Sequence, residues 1–375
     1  MAENEMKFDH GAGELTLKLF DKLQASTNRH NILLSPLSIQ IAMAMAFTGA
    51  KGKTAEEIAS AMRFVSHSPE EVGDSFRLVL EKYQDSPWVK IANKIYVQEG
   101  NAIKLEYAAV IKDQYQAAAE TLDFTKSEAA AHNINAWIES KTAVEINDLI
   151  SAESLGPDPR LVLLNFMHFK GEWQQKFYEH ETREDDFWLN EEQSVKLKFM
   201  YIESKFRYGF IKDWDCEGLE LPYNDSDLSM LVLLPVKRDG LKNLAKKLKN
   251  FNLWDLDKRL ENVRDKVVRF PKFKIEYSIE LSDVLKEMGI TTAFSKRAEF
   301  YNILETDAHI HISKVFHKSS IEVNEAGTET AGGIALRMLS LRTSEEFDAN
   351  RPFLYFIWDK KNIFLAGAFV NPTNI

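Results

Sequence analysis

Residues 325–346 read EAGTETAGGIALRMLSLRTSEE, a stretch whose small residues and threonines give way to an apolar middle and a polar end. Side chains along a strand alternate between two faces, so a segment able to enter a sheet must keep every second residue of one character. One register meets that condition. Thr328, Thr330, Gly332, Ile334, Leu336 and Met338 face inward, and Glu329, Ala331, Gly333, Ala335, Arg337 and Leu339 face outward. The inward face grows steadily more apolar, while Glu329 and Arg337 put the charges on the other. Gly327, Gly332 and Gly333 weaken any strand that contains them, because glycine loses the most backbone entropy on ordering. Periodicity alone leaves two readings: a surface loop joining two strands, or a loop held in solvent first and inserted into a sheet later.

Either reading needs a large folded body around the stretch. The chain has 375 residues, 45% of them apolar and 28% charged, with no low-complexity tract. Length alone suggests two domains. The formal net charge is −10, from 57 acidic and 47 basic residues, which disfavours non-specific binding to nucleic acid or an anionic membrane. The most basic local run, residues 242–249, alternates with Leu and Asn and reads as the wet face of a helix. Cys216 is the single cysteine, so packing rather than an intrachain disulfide must hold the fold. The start MAENEMKFDH lacks the apolar core of a signal peptide. No run of 18 or more apolar residues is present to span a membrane.

Taken in order, residues 13–23 read as an amphipathic helix through Leu15, Leu19, Phe20 and Leu23. Residues 31–34 form a short strand that runs into a helix start, with Ser35 as cap and Pro36 in the first turn. Residues 39–48 are rich in Ala and Met and nearly all apolar, which predicts a buried helix. Gly52-Lys53-Thr54 invites a phosphate-loop reading, but the glycine that motif needs five residues earlier is Phe47. The better reading is a turn, with Thr54 capping the next helix. Residues 89–97 read as a strand, 101–119 largely as a helix, and 161–169 as a long apolar strand. From Gly218 on the character is β: residues 219–223 and 228–235 flank Asn224-Asp225-Ser226-Asp227, a hairpin signal. Residues 353–359 and 363–370 form a closing strand pair. Helices first and strands later point to an α+β fold.

Catalytic motifs are absent from this pattern: there is no GxSxG, HExxH, CxxC or full dinucleotide-binding glycine run. His309 and His311 share a strand face, as metal ligands can, but spacing supplies no third ligand, so a solvated face is the better reading. No catalytic residue, metal or cofactor is expected, and the chain is not read as an enzyme.

The flanks of the opening stretch carry a family resemblance. Upstream, ISKVFHKSSIEVNEAGTETAGG begins at Ile312, and downstream, FDANRPFLYFIWD begins at Phe347. The pattern Asn324, Glu325, Gly327, Thr328, Glu329, Ala331, Gly332 resembles the hinge of the serpins, and Asn350-Arg351-Pro352-Phe353 resembles their C-terminal signature. Residues 31–54 are similar to the family block NxxxSPxSIxxAxAMxxxGAxGxT. Asp123-Phe124, residues 134–138, Asn165, Phe169-Lys170-Gly171 and Trp173 continue the likeness. Val144 departs from it, standing where the family usually has glycine.

The resemblance implies one serpin domain over residues 1–375, with three β-sheets, about nine helices and an exposed reactive centre loop at about 325–346. It also implies a suicide-substrate inhibitor of a serine protease, trypsin-like or chymotrypsin/elastase-like, working as a monomer without nucleic acid or membrane. The hinge is then Glu325, Gly327, Thr328, Glu329, Thr330, Ala331, Gly332 and Gly333. Family spacing puts the cleaved bond at Leu341-Arg342, or at Arg342-Thr343 if the loop is used one residue longer. His317 resembles the histidine beneath the central sheet, and Ser35, Ser38, Asn165 and Trp173 belong with it to the region where that sheet opens. Thr330 replaces the usual Ala and Ile334 is bulkier than usual, yet neither adds charge or proline. The rival is a non-inhibitory serpin that binds a ligand, stores protein or acts as a chaperone. An extracellular protein with its leader removed is expected, with the cytoplasm as the alternative.

Overall fold

The computed structural model describes residues 2–26, 30–142, 150–156, 160–248, 255–260, 262–326 and 345–373. Its fourteen strands are, in chain order, β1 (Ile32–Leu34), β2 (Val89–Gln98), β3 (Ala118–Leu122), β4 (Leu161–Phe169), β5 (Arg183–Trp188), β6 (Ser194–Ile211) and β7 (Cys216–Pro222). They continue with β8 (Ser229–Pro235), β9 (Asn262–Pro271), β10 (Phe273–Glu280), β11 (Ile312–Val323), β12 (Glu345–Asp348), β13 (Phe353–Trp358) and β14 (Ile363–Phe369). Ten α-helices accompany them among the described residues. The chain forms two compact units whose segments interleave: residues 1–23, 34–169 and 276–320 in the first, and 24–33, 170–275 and 321–375 in the second.

The first unit is built on a five-stranded sheet in the order β10-β11-β4-β2-β3. β4 runs antiparallel to β2 from Val89↔Phe169 to Val97↔Leu161, and β3 pairs parallel with β2. The helix Pro36–Gly49 is buried almost all round, as its Ala- and Met-rich composition requires. The helix Ser127–Thr142 instead buries one stripe, Ala130, Ala131, Ile134 and Ile138, against Val162, Leu164 and Phe166 of β4 and Phe316 of β11. Each fully buried Leu, Ile or Phe in such a cluster contributes about 2 kcal/mol. Strand alternation therefore gives this sheet two different faces: Phe166 and Phe316 under that helix, Asn165 and His317 on the opposite side.

In the second unit hydrogen bonding runs through β1-β14-β13-β8-β7-β6-β9-β12, with β5 added on β6. The 18 residues of β6 pair first with β5 and β9 and then with β7, so two of the three expected sheets share one continuous ladder. Phe270, Phe273, Phe353 and Phe369 pack ring against ring, with Phe273 and Phe353 also against Tyr355. Gly367 admits the Tyr355 ring, for a Cβ there would lie 2.1 Å from Cζ.

Local readings were corrected at four places. Ala118 and Ala119, expected in a helix over 101–119, belong to β3, and the helix is Leu105–Tyr115. Thr54 lies inside the helix Gly52–Met62, whose N-cap position is Lys51, and its Oγ1 accepts from the Glu299 N–H at 3.0 Å. His309 and His311 precede β11 rather than sharing its face. Glu345 and Glu346, expected in the loop, open β12. No helix among the described residues is long and apolar enough to cross a membrane.

Candidate functional site

His317 lies in the middle of β11 and is 1% exposed. Its Nε2 accepts the backbone N–H of Ser35 at 3.2 Å, which places the ring proton on Nδ1. Nδ1 in turn donates to Oδ1 of Asn165. That same oxygen accepts from Ser38 Oγ at 2.9 Å, while Asn165 Nδ2 donates to the Ser38 carbonyl and to Asn93 Oδ1, both at 2.6 Å. Every hydrogen-bonding capacity of the buried amide is used. The cluster ties β11, β4, β2 and the start of the helix Pro36–Gly49 to one another. Ser35 serves twice, since its Oγ also caps that helix by accepting from the Ser38 N–H at 3.2 Å.

Burial pushes the His317 imidazole down to about 3. A second proton would land on Nε2, facing the Ser35 N–H, donor against donor. The ring is therefore neutral at physiological pH and serves as a structural pivot.

Trp173 is not part of this cluster. It sits in the second unit, where its Nε1 donates to the carbonyl of Asn324 at 2.9 Å and its ring stacks on Tyr223 with centroids 4.5 Å apart. The reason is chain direction: beyond Phe169 the backbone leaves β4, and Trp173 forms an isolated bridge to Tyr223. Trp173 thus marks the root of the segment that follows β11.

Glu325 completes that root. It is 8% exposed, accepts from Thr182 Oγ1 at 2.7 Å and pairs with Lys272 Nζ at 2.6 Å. Asn324 Oδ1 accepts the Ala326 N–H at 2.9 Å, and Lys170 pairs with Glu322 at 3.0 Å. An open polar cleft is lined by Glu179, Thr182, Glu184, Lys198, Lys272 and Glu325. Burial works against ionising Glu325, but the Lys272 and Thr182 hydrogen bonds outweigh it and hold the carboxyl below its usual range. Sequence reading identified Glu325 but missed Lys272 and Thr182, which lie 53 and 143 positions away with no local signal.

This pair has a testable sign. A depressed folded-state pKa adds stability above the unfolded value and loses it as pH falls through the folded one. Lys272→Met removes the cation and leaves only the Thr182 hydrogen bond to offset burial. Its melting temperature is expected to match wild type only at a pH low enough to protonate Glu325 in the folded chain, below the usual carboxyl range, and to fall behind as pH rises to 7, by about 1–3 kcal/mol of stability. A constant gap across that range would show that Glu325 does not depend on Lys272.

Gly327, Thr328, Glu329, Thr330, Ala331, Gly332 and Gly333 of the hinge, and Leu341, Arg342 and Thr343 at the cleaved bond, lie outside the described residues. The structure thus holds both ends of that segment, Glu325 on one side and β12 on the other. β11 and β4 stand as hydrogen-bonded neighbours. Among the described residues no group of three or more His, Cys, Asp or Glu is disposed to hold a metal, and burial pushes the Cys216 thiol up to about 12, away from nucleophilic use.

Comparison with known proteins agrees with this layout. A family model described as Serpin (serine protease inhibitor) matches residues 10–372. Serpin B4 of Homo sapiens is 35% identical over 382 residues, covering 94% of this chain and 97% of that protein. Leukocyte elastase inhibitor A of Mus musculus is 35% identical over 371 residues, covering 95% and 97%. Among solved structures, cleaved Serpin 42Da superimposes with a TM-score of 0.88 at 35% identity, covering 99% of each chain.

Proposed function

This chain belongs to the serpin family, and from that premise we propose that it inhibits a serine protease as a suicide substrate cut at Leu341-Arg342. The protease serine attacks the Leu341 carbonyl carbon, and the C–N bond breaks. Arg342 leaves as a protonated amine, and Leu341 remains on the enzyme as an ester. The hinge then inserts between β11 and β4 and carries the acylated protease with it before water completes hydrolysis.

The observation that carries this reading is a five-stranded sheet in which β11 precedes the loop and pairs with β4, so the seam beside β11 is next to the segment that would enter it. A hinge without charge on its inward face fits, because an unpaired buried charge is very costly. Thr330 and Ile334 are compatible with insertion, since β-branched side chains favour strands. The non-inhibitory rival is not favoured, as the relatives carry inhibitor names. Leu341 suits a chymotrypsin- or elastase-like target. The chain acts on this reading as a trap rather than as an enzyme.

We take residues 1–375 as one domain because its two units interleave in sequence. A monomer is our reading of the family likeness, and the −10 charge supports a protein that binds neither nucleic acid nor membrane. The expectation of an extracellular protein is given up: the likeness to serpin B4 and the leukocyte elastase inhibitors favours the cytoplasm, where a lone buried thiol stays reduced.

Incubation with a panel of serine proteases is expected to give a covalent band of summed mass on a denaturing gel, and a cleaved product that melts far higher than the intact chain. Mass spectrometry of the released C-terminal peptide is expected to show a start at Arg342. A start at Thr343 would move the bond by one residue and indicate a trypsin-like target. Cleavage with neither complex nor a higher melting temperature sinks the inhibitor reading.

A further inference from the structure

The edge strand β12 is held to β9 by a charged contact at each end. At its start Glu345 Oε2 accepts from Lys266 Nζ at 2.7 Å, with Arg264 Nη1 3.7 Å from the same oxygen, and the Lys266 hydrogen bond holds that carboxyl below its usual range. At its end Asp348 stands opposite Arg269 in the parallel register. This second contact is incomplete. Asp348 Oδ1 lies 3.2 Å from Arg269 Nε, yet both atoms are buried and neither makes a hydrogen bond among the described residues. Arg269 Nη1 also faces a second carboxylate, Asp185 of β5, at 3.3 Å. The other oxygen of Asp348, Oδ2, accepts from Asn350 Nδ2 at 2.7 Å.

An ionised Asp348 is poorly supported there. Its side chain is 23% exposed, against 49% for Asp185 and 62% for Glu345, and a carboxylate taken out of water with one oxygen unbonded is costly. Burial disfavours the charge most. Arg269 on β9 and Arg351 beyond β12 favour it, although Arg351 is also drawn to Glu217 of β7 at 3.6 Å, while Glu346 on β12 and Asp185 on β5 add like charge. The balance pushes the Asp348 carboxyl up to about 6. When β12 lifts from β9 the side chain enters water and returns to its ordinary value of about 3.9. The attached strand therefore binds the proton more tightly than the lifted one. Acid favours attachment, with a gain that begins as pH falls through about 6 and is complete by about pH 4.

We propose that Asp348 is a proton-operated latch on β12: protonated in weak acid it holds the strand against β9, and ionised at neutral pH it lets the strand lift. A neutral carboxyl gives up its claim on Arg269, which then serves Asp185 alone, and the buried like charge beside Glu346 disappears. The Glu345 carboxyl, held below its usual range, stays ionised at pH 5 and keeps its end of the strand unchanged. Four residues of parallel pairing hold an edge weakly, so one side chain is enough to set how often it opens. The latch lies within the second unit and is independent of the inhibitor reading.

Hydrogen–deuterium exchange of the full chain at pH 5.0 and 7.4, corrected for the intrinsic pH dependence of amide exchange, reads the lifting. The reporting peptide covers residues 345–351 and includes the Ala349 N–H, which donates to the Arg269 carbonyl at 2.9 Å. Protection there is expected to be about tenfold higher at pH 5.0, the ratio given by a carboxyl that titrates at about 6 when attached and about 3.9 when lifted. Peptides from the β7–β8 hairpin should show no such gain. Asp348→Asn is neutral at both pH values and should remove the contrast. Asp185→Asn, at a half-exposed position, takes away a like charge and leaves Arg269 to Asp348, so it should shrink the contrast; it decides the matter if Asp348→Asn folds poorly.

Equal protection of residues 345–351 in wild type at the two pH values overturns the proposal. A contrast that survives undiminished in Asp348→Asn or in Asp185→Asn overturns it too, since the titrating group then lies elsewhere. So does a gain of the same size in the β7–β8 peptides, which would make acid protection a property of the whole unit rather than of its edge strand.

Discussion

Thr328→Arg is expected to turn the protein from an inhibitor into a substrate. The alternation read from the sequence puts Thr328 on the inward face of the hinge, and on the insertion proposed above it is among the first side chains to enter between β11 and β4. Burying a guanidinium there without a partner costs several kcal/mol even after relaxation. Suicide inhibition is a race between insertion and hydrolysis of the ester, and each 1.4 kcal/mol added to the insertion barrier slows it about tenfold. Two such increments shift the partition about a hundredfold. The inhibitor-to-protease ratio should climb from near one to a value where the protease stays active and only cleaved product accumulates. Glu329→Arg, one residue on and outward-facing, should leave that ratio within about twofold, because the charge remains in solvent. Titration of the cleaving protease with both variants decides; equal ratios for both would show that the alternation of the hinge is not what the sheet reads.

Acid should loosen the first unit through His317. The unfolded chain takes up a proton near pH 6.5, whereas the folded ring, depressed by burial, resists until about 3. Between those values the unfolded state binds the extra proton, so stability is complete above about pH 6.5 and declines as pH falls towards 3. From pH 6.5 to 5 the single residue is worth about 2 kcal/mol. His317→Gln removes the titrating ring and should flatten that part of the profile, at a fixed cost from the lost Ser35 and Asn165 contacts. Denaturant unfolding at pH 5, 5.75 and 6.5 measures it, and an unchanged slope in the variant would exonerate His317.

Asn165→Ala cuts deeper, for it takes one buried partner each from His317 Nδ1–H, Ser38 Oγ, the Ser38 carbonyl and Asn93 Oδ1. An expected loss of about 3–5 kcal/mol follows from several buried polar groups left unpaired. Because Asn165 joins β4 to β11 through His317, the same variant should let a synthetic peptide of residues 327–340 anneal to the protein about tenfold faster or more. Native gels over time report the rate.

Local features were readable where one stretch of chain decides them. Ser35 with Pro36 announces a helix start because capping and proline geometry act within four residues. The Ala- and Met-rich run after it declares burial on all sides, and the apolar run of β4 declares a strand covered on both faces. By contrast, Ala118 and Ala119 carry a helical preference that pairing with β2 overrides, and no local pattern records that partner. For Trp173 no local pattern records its partners: the direction of the backbone after β4 sets its ring on Tyr223 and its Nε1 on the Asn324 carbonyl.

The sequence by itself therefore determined the periodicities, the helix starts and the family likeness that points to a cleavable loop, since each depends on neighbours in the chain. Only the tertiary structure decided which charges meet. Lys272 with Glu325 and Lys266 with Glu345 join residues 53 and 79 positions apart. Opposite charges in sequence are interchangeable until strand register selects one pair and burial removes the water that would otherwise screen the rest.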